Sequence, residues 1–188
     1  KLPKVHTTPG SNDSKNGQSH RHATCHSYRS YDRTKGRIYS FCRLVERKNL
    51  LNAVRAIALL KDKRLPVPFE YVISGTGPLA DEIRAAIDRL ELHDHVRMTG
   101  YLPDSQVIEN FKNTDIFLHP QVAAVSDLDI EGFGLVIADA MSFGAAAVVG
   151  ESGGPPDFME DGQTGLTVDG GSLEQIGGAL ERFVSHEN

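Results

Sequence analysis

Short apolar segments alternate with longer segments of helical periodicity along most of this 188-residue chain. The pattern predicts strands at 37–42, 69–74, 95–99, 115–118, 145–149 and 165–168. It predicts helices at 48–62, 79–90, 104–113, 133–143, 155–160 and 172–185. Repeated alternation of this kind is typical of a parallel sheet covered by helices on both faces. We therefore expect an α/β fold built on a doubly wound parallel sheet.

Residues 1–36 differ in texture from the rest, being rich in polar residues and glycine with few aliphatic side chains. We interpret them as a linker or poorly ordered segment, and 37–188 as one domain. The first segment carries seven Lys/Arg residues against two Asp/Glu, whereas the domain is acidic, within a total net charge of −5. An acidic domain argues against a general nucleic-acid surface. No apolar run reaches the roughly 18 residues that a membrane span needs.

The two cysteines lie in different contexts, Cys42 in an apolar run and Cys25 in a polar one. A disulfide framework is therefore disfavoured, and a cytoplasmic or cytoplasm-facing location is expected. His20, His22, Cys25 and His26 fit no common zinc spacing. Asp127-Leu128-Asp129 is more simply interpreted as a solvated loop. We accordingly predict no metal site.

One segment combines a carboxylate, a glycine-containing turn and an apolar helix-like stretch: Glu131-Gly132-Phe133-Gly134-Leu135, with Asp139 following on the same stretch. Backbone N–H groups at a helix start can bind an anion, and carboxylates accept hydrogen bonds from hydroxyls. A phosphate joined to sugars needs both kinds of group, so the segment favours a nucleotide-sugar site. In the alternative interpretation, Glu131 simply precedes a helix and Asp139 lies on a solvated face.

Two cations, Arg43 and Lys48, flank the turn after the first predicted strand. They could neutralise a diphosphate without a metal, or they could simply favour solubility. The turn Gly75-Thr76-Gly77-Pro78 lacks the third glycine of a dinucleotide fingerprint, so a tight turn is favoured over a cofactor loop. His119, after the fourth strand, is either a loop cap or a residue that lines the pocket.

In this order the motifs resemble the C-terminal, donor-binding domain of a GT-B retaining glycosyltransferase of family 4, the glycosyl transferases group 1 domain. The resemblance covers about residues 38–185. It rests on six motifs in the family's order: Cys42–Asn49 against Gly-Arg-Leu-x-x-x-Lys-Gly, Ser74–Pro78, Val96–Leu102, Glu131–Asp139, Gly153–Asp157 and Asp161–Gly165. It implies a Rossmann-like sheet that forms the C-terminal half of a GT-B fold.

The resemblance also implies roles for individual residues. Arg43 and Lys48 would hold the donor diphosphate, and together with Glu131, which contacts the donor sugar, they would be the catalytic residues. Asp139 would hold the ribose hydroxyls. The remaining donor-binding residues would be Gly75, Tyr101, Leu102, Phe133, Gly134 and Leu135.

Transfer would be metal-independent and would use no cofactor, with a nucleotide-diphosphate sugar as the donor substrate. The partner would be an N-terminal GT-B domain that carries the acceptor site and is absent from this sequence, so the isolated domain would be inactive. Two other functions stay open at this point: a nucleotide-sugar-binding module without catalysis, and a GT-B-like sugar epimerase.

Four departures from the family motifs bear on activity: Cys42 and Asn49 stand in place of glycines, Asp139 in place of glutamate, and Ala146 in place of a proline. A side chain at position 42 is expected to crowd the backbone approach to the phosphates. The Asp139 arm is one methylene shorter than glutamate, so its contact with the ribose is expected to be weaker or bridged by water.

Overall fold

The computed structural model describes residues 35–63, 65–123, 134–154, 159 and 161–185. The strands are β1 (Gly36–Phe41), β2 (Phe69–Ser74), β3 (Val96–Gly100), β4 (Ile116–His119), β5 (Ala146–Gly150) and β6 (Gly165–Val168). The helices are α1 (Leu50–Lys61), α2 (Ala80–Arg89), α3 (Asp104–Lys112), α4 (Leu135–Ser142) and α5 (Leu173–Ser185), with a short 3-10 turn at Glu46–Lys48.

All strand pairs in the described chain are parallel, and the six-stranded sheet has the order β3-β2-β1-β4-β5-β6. Strand β1 therefore lies in the middle, with Tyr39 opposite Val72 of β2 on one side and Phe117 of β4 on the other. The chain leaves β1 and β4 in opposite directions across the sheet. Such a switch point opens a crevice at the carboxyl ends of the two strands, where ligands bind in sheets of this type.

Alternate residues of each strand enter two separate cores, because successive side chains of a strand point to opposite faces. Ile38 and Ile73 pack in the first core, under α1, α2 and α5. Tyr39 and Phe117 pack in the second core, under α3 and α4. Helices cover both faces, and the predicted Rossmann-like, doubly wound parallel sheet is confirmed.

The first face also buries a short polar chain. The Ser40 hydroxyl donates to the Leu118 carbonyl oxygen at 2.5 Å and accepts from the Tyr71 hydroxyl at 2.8 Å. This pairing satisfies both hydroxyls inside the core, where an unpaired polar group would be costly. Burial raises the pKa of the Tyr71 hydroxyl above its usual value.

The predicted elements agree with the structure, with shifts at their ends. Strands 69–74 and 165–168 have the predicted bounds. Helix α1 begins two positions later than predicted, because Lys48 belongs to the 3-10 turn and Asn49 has a left-handed backbone with φ 57°. The predicted helix at 155–160 and the proposed linker fall mostly outside the described residues, so the boundary at residue 36 stays a prediction.

Candidate functional site

The loops that leave β1 and β4 meet at the carboxyl edge of the sheet, and contacts among the described residues join them there. The Val122 N–H donates to the Arg47 carbonyl oxygen at 3.0 Å. The Asn49 amide donates to the Pro120 carbonyl oxygen at 2.9 Å. Between them, Lys48 Nζ lies 3.2 Å from His119 Nε2. We call residues 47–49 and 119–122 the switch-point clasp, because they join the two loops that border the crevice.

Lys48 and His119 are both buried, with 7% and 1% of their surfaces exposed. Lysine ammonium has donors only, so a hydrogen bond between the two requires His119 Nε2 to accept it, with the ring proton on Nδ1. The His119 ring lies nearly parallel to that of Phe117, with 6.2 Å between the centroids and 11° between the planes. The sequence left His119 open between a loop cap and a residue that lines the pocket. In the structure it contacts Lys48, one of the two candidate phosphate-binding residues.

Asn49 explains how a residue other than glycine fits after Lys48. Its backbone is left-handed, at φ 57° and ψ 33°, a conformation that asparagine tolerates better than most residues. Its side-chain amide donates to the Pro120 carbonyl oxygen and, at 2.6 Å, to that of Gly170 in the loop after β6. Asn49 therefore ties together the loops after β1, β4 and β6.

Arg43 lies in the same loop as Lys48 but is exposed. The segment around it is held by the turn after β2: the Leu44 N–H donates to the Thr76 carbonyl oxygen at 2.9 Å, and the Leu79 N–H to the Leu44 carbonyl oxygen at 3.1 Å. A Cβ at Gly75 would overlap the Cys42 carbonyl oxygen. The glycine at 75 is therefore required by the close approach of the Arg43 loop, and a donor contact there stays a prediction.

Cys42, expected to crowd the phosphates, packs against the first core. On the β3 side of the crevice, Tyr101 is 78% exposed and Leu102 packs against the second core. The Gly75 N–H donates to the Gly100 carbonyl oxygen at 2.8 Å, which fixes the β3 end against the β2 turn. An exposed aromatic ring at this edge can stack on a planar ligand.

The start of α4 borders the other side of the crevice. Gly134, at φ 61°, precedes the helix, and Leu135 begins it with 72% of its surface exposed. Asp139 follows four residues after Leu135 and is also exposed, so the two lie on one face of the helix. A helix start of this kind presents N–H groups and a partial positive charge.

Several predicted residues lie outside the described part of the chain. Two are Glu131 and Phe133, which were predicted to bind the donor. The others belong to the two sets that the sequence analysis disfavoured as metal sites: Asp127–Asp129, and His20, His22, Cys25 and His26. Within the described residues, no group of three or more His, Cys, Asp or Glu side chains is placed to hold a metal ion. None of the helices described has the length and hydropathy of a membrane span.

Gln121 is a site-edge residue that sequence reasoning missed. Its side chain is fully buried, and its amide nitrogen donates to the carbonyl oxygens of Gly150 at 2.8 Å and Ser152 at 2.9 Å. The Gly150 N–H donates back to the Gln121 side-chain oxygen at 3.2 Å. Gln121 thereby anchors the loop after β5. An amide residue just beyond an apolar strand was the signal that could have identified it.

Comparison with known proteins agrees with this geometry. The family model described as glycosyl transferases group 1 matches residues 30–188. The amylovoran biosynthesis glycosyltransferase AmsK of Erwinia amylovora is 32% identical over 151 residues, which are 80% of this chain and 36% of that protein. A GDP-mannose-dependent alpha-(1-6)-phosphatidylinositol monomannoside mannosyltransferase of Mycolicibacterium smegmatis is 32% identical over 134 residues, 71% of this chain and 35% of that protein.

Two solved structures show the same fold. Anabaena HepE in complex with UDP and glucose matches with a TM-score of 0.66 and 22% identity, over 79% of this chain and 38% of that one. The C-terminal domain of the glycosyl transferase group 1 protein LpcC of Francisella tularensis matches with a TM-score of 0.68 and 24% identity, over 80% of this chain and 76% of that one. The chain spans about a third of the length of the curated relatives it matches; in AmsK the matched part is 36% of the protein.

Proposed function

The chain belongs to the glycosyl transferases group 1 family, and from that premise we propose that it is the donor-binding domain of a retaining, metal-independent glycosyltransferase. The donor is a nucleotide-diphosphate hexose. One observation carries the proposal: Lys48 is held at the switch point by His119, with Arg43 on the same loop. Two cations on one loop at the crevice suit a diphosphate, because charge-assisted contacts to phosphate oxygens are among the stronger hydrogen bonds.

The chemistry follows from where charge develops. As the bond between the sugar and the leaving diphosphate weakens, negative charge grows on the diphosphate. Lys48 and Arg43 stabilise that charge if they are already in position. No metal is needed for this step, since the two side chains and the helix start supply the positive charge.

We assign the other parts of the donor to residues of the same motifs. The start of α4 at Gly134 and Leu135 takes the phosphate and sugar through its backbone, and Asp139 on the same helix takes the ribose hydroxyls. Tyr101 and Leu102 take the nucleobase, Gly75 lies beside them in the turn after β2, and Phe133 adds backbone contacts. Glu131 takes the donor sugar. The exposure of Tyr101, Leu135 and Asp139 supports this arrangement, because all three are accessible to a ligand.

The relatives support a hexose donor but differ in its base. The Mycolicibacterium smegmatis relative is named GDP-mannose-dependent, whereas HepE was solved with UDP and glucose. We propose that the acceptor site and the N-terminal GT-B domain belong to the portion of the full enzyme that lies beyond this chain, and that transfer proceeds on the cytoplasmic side of a membrane or in the cytoplasm.

A nucleotide-sugar-binding module without catalysis is the second candidate. It is favoured by Asp139, whose carboxylate is one methylene shorter than the glutamate of the family motif. The two candidates differ in transfer and agree in binding, so they are separated by a transfer assay on the protein joined to its acceptor domain. An enzyme transfers sugar, and a module binds the donor without turnover.

Binding is tested first on this chain, with a panel of UDP-, GDP- and ADP-sugars in a thermal unfolding assay. A donor at about 100 times its dissociation constant stabilises the folded chain by about 2.7 kcal/mol. The variants Arg43→Ala and Lys48→Ala should weaken the nucleoside diphosphate more than the nucleoside, each by about 1.5–3 kcal/mol.

The matched control is Lys112→Ala, which removes an exposed lysine at the end of α3. It should leave both affinities unchanged, because long-range charge between solvated groups is screened. Equal losses for diphosphate and nucleoside in the Arg43 and Lys48 variants, or an equal loss in the control, would reject the phosphate assignment. Abolition of transfer by EDTA with rescue by manganese would reject metal independence.

A further inference from the structure

We propose that His119 is a positioning residue for donor binding: its Nε2 lone pair holds the Lys48 ammonium at the phosphate side of the crevice. The proposal rests on the function proposed above and adds to it the group that orients the phosphate-binding lysine. The observation is the buried contact of 3.2 Å between Lys48 Nζ and His119 Nε2. Its two members lie 71 residues apart in the chain and meet only because β1 and β4 are neighbours.

The contact directs Lys48 from one side of the sheet to the other. Lys48 is the last residue of the 3-10 turn that precedes α1, and α1 covers the first face of the sheet. His119 follows Phe117 by two residues and therefore shares its face, which α3 and α4 cover. The ammonium is thus drawn across the sheet edge toward the face where α4 begins. A phosphate bound at the start of α4 would lie on that same face.

Histidine suits this role better than a carboxylate would. A carboxylate partner would orient the ammonium but also offset its charge, and a phosphate would then compete with it. The neutral imidazole orients Lys48 through one lone pair and contributes no opposing charge. The charge that Lys48 brings to a diphosphate is therefore not reduced by this partner.

Ordering Lys48 before the donor arrives also improves binding. A lysine side chain has a flexible four-carbon stem, and immobilising it at the moment of binding weakens the affinity. On either side of Lys48, the Arg47 carbonyl oxygen accepts from the Val122 N–H, and the Asn49 side-chain amide donates to the Pro120 carbonyl oxygen. The His119 ring, stacked on that of Phe117, contributes to ordering the Lys48 side chain. Loss of this ordering corresponds to a loss of up to about tenfold in affinity.

Two substitutions of His119 by an amide residue test whether the acceptor must lie at the place of Nε2 or whether any polar side chain is sufficient. In His119→Gln, the amide oxygen can occupy the place of Nε2 and accept from Lys48. In His119→Asn, the amide is shorter and reaches only the place of Nδ1. Affinities of both variants are measured calorimetrically with UDP and uridine and with GDP and guanosine, beside thermal unfolding of each variant.

We expect His119→Asn to lower the affinity for the nucleoside diphosphate about tenfold and to leave the affinity for the nucleoside unchanged. His119→Gln should bind both ligands with the affinities of the original chain. In a Lys48→Met background, His119→Asn should cause no further loss, because the group it positions is gone. A loss in His119→Asn that is equal for nucleoside and diphosphate, or that persists with Lys48→Met, overturns the proposal. A His119→Asn variant that binds normally also overturns it.

A measurement without nucleotide covers the case in which a variant fails to fold. The ¹⁵N chemical shifts of the His119 ring in the original chain report its tautomer, and the proposal requires the proton on Nδ1. A proton on Nε2 overturns it. If the original chain binds none of UDP, GDP and ADP while His119 carries its proton on Nδ1, the proposed function fails and the positioning contact stands, so the two failures are distinguishable.

Discussion

Replacing Asn49 with glycine restores the residue that the family motif has at this position, yet we expect it to destabilise this chain. Glycine adopts the left-handed backbone at φ 57° without strain. It lacks, however, the amide that donates to the carbonyl oxygens of Pro120 at 2.9 Å and Gly170 at 2.6 Å. The substitution therefore tests whether the side-chain hydrogen bonds of Asn49 or its backbone conformation contributes more to the stability of the switch-point clasp.

The structure sets the expected size. Two neutral hydrogen bonds contribute about 1 kcal/mol each, and the carbonyl oxygen of Gly170 keeps a second donor, Asn52, at 3.3 Å. Glycine adds a backbone entropy cost of about 0.5–1 kcal/mol and relieves a left-handed strain of about the same size. The net expectation for Asn49→Gly is a loss of about 1–2 kcal/mol in the free energy of unfolding.

Two further substitutions at the same position order the contributions. Asn49→Ala loses both hydrogen bonds and adds the left-handed strain, for a loss of about 3 kcal/mol. Asn49→Asp keeps the shape of asparagine but places a carboxylate, which only accepts hydrogen bonds, beside two carbonyl oxygens. Its loss of unfolding free energy should therefore exceed that of Asn49→Gly. Asn52→Ala is the control: it removes the longer bond to Gly170 and an exposed hydrogen bond that Arg55 donates to Asn52 at 2.9 Å, and it should cost less than about 0.5 kcal/mol.

Urea unfolding followed by circular dichroism measures all four variants, with the slope of free energy against urea checked for constancy. The reasoning is refuted if Asn49→Gly is as stable as the original chain or more stable. It is also refuted if Asn49→Asp is no less stable than Asn49→Gly, since the donors would then contribute nothing.

Two other predictions concern the frame of the site. Gly75→Ala places a Cβ against the Cys42 carbonyl oxygen at φ 129° and should lower the melting temperature far more than Gly100→Ala, whose Cβ meets no atom within 4 Å at φ 68°; equal shifts would contradict the close-approach argument. Because burial raises the pKa of the Tyr71 hydroxyl, the folded chain keeps a proton that the unfolded chain loses above about pH 10, and stability falls as pH rises further. Tyr71→Phe should reduce that alkaline slope by about 1.4 kcal/mol per pH unit in urea unfolding, and the exposed-ring control Tyr101→Phe should not change it.

The fold was predictable from sequence because its signals are local. Strands such as Phe69–Ser74 are apolar runs that end at glycine or proline, and the helices between them keep their apolar spacing. The start of α1 was misplaced because Lys48 continues the helical spacing while Asn49 turns the backbone left-handed. A single backbone angle of that kind is not visible in a hydrophobic pattern.

The site was only partly predictable, because its decisive contacts are long-range. Motif order indicated Arg43 and Lys48 as an equivalent pair of cations. In the structure, Arg43 is exposed and Lys48 is buried against His119. That difference depends on β4 lying beside β1, which no spacing along the chain encodes.

Departures from a motif also carry different weight once their surroundings are known. Asn49 keeps the left-handed backbone that the family's glycine would supply and adds two hydrogen bonds between loops. Cys42 packs against the first core, so its side chain has a structural role. Asp139 is the departure that lies exposed on α4, and we propose that it binds the ribose. Its shortened carboxylate is therefore the feature on which the choice between an active transferase and a binding module most depends.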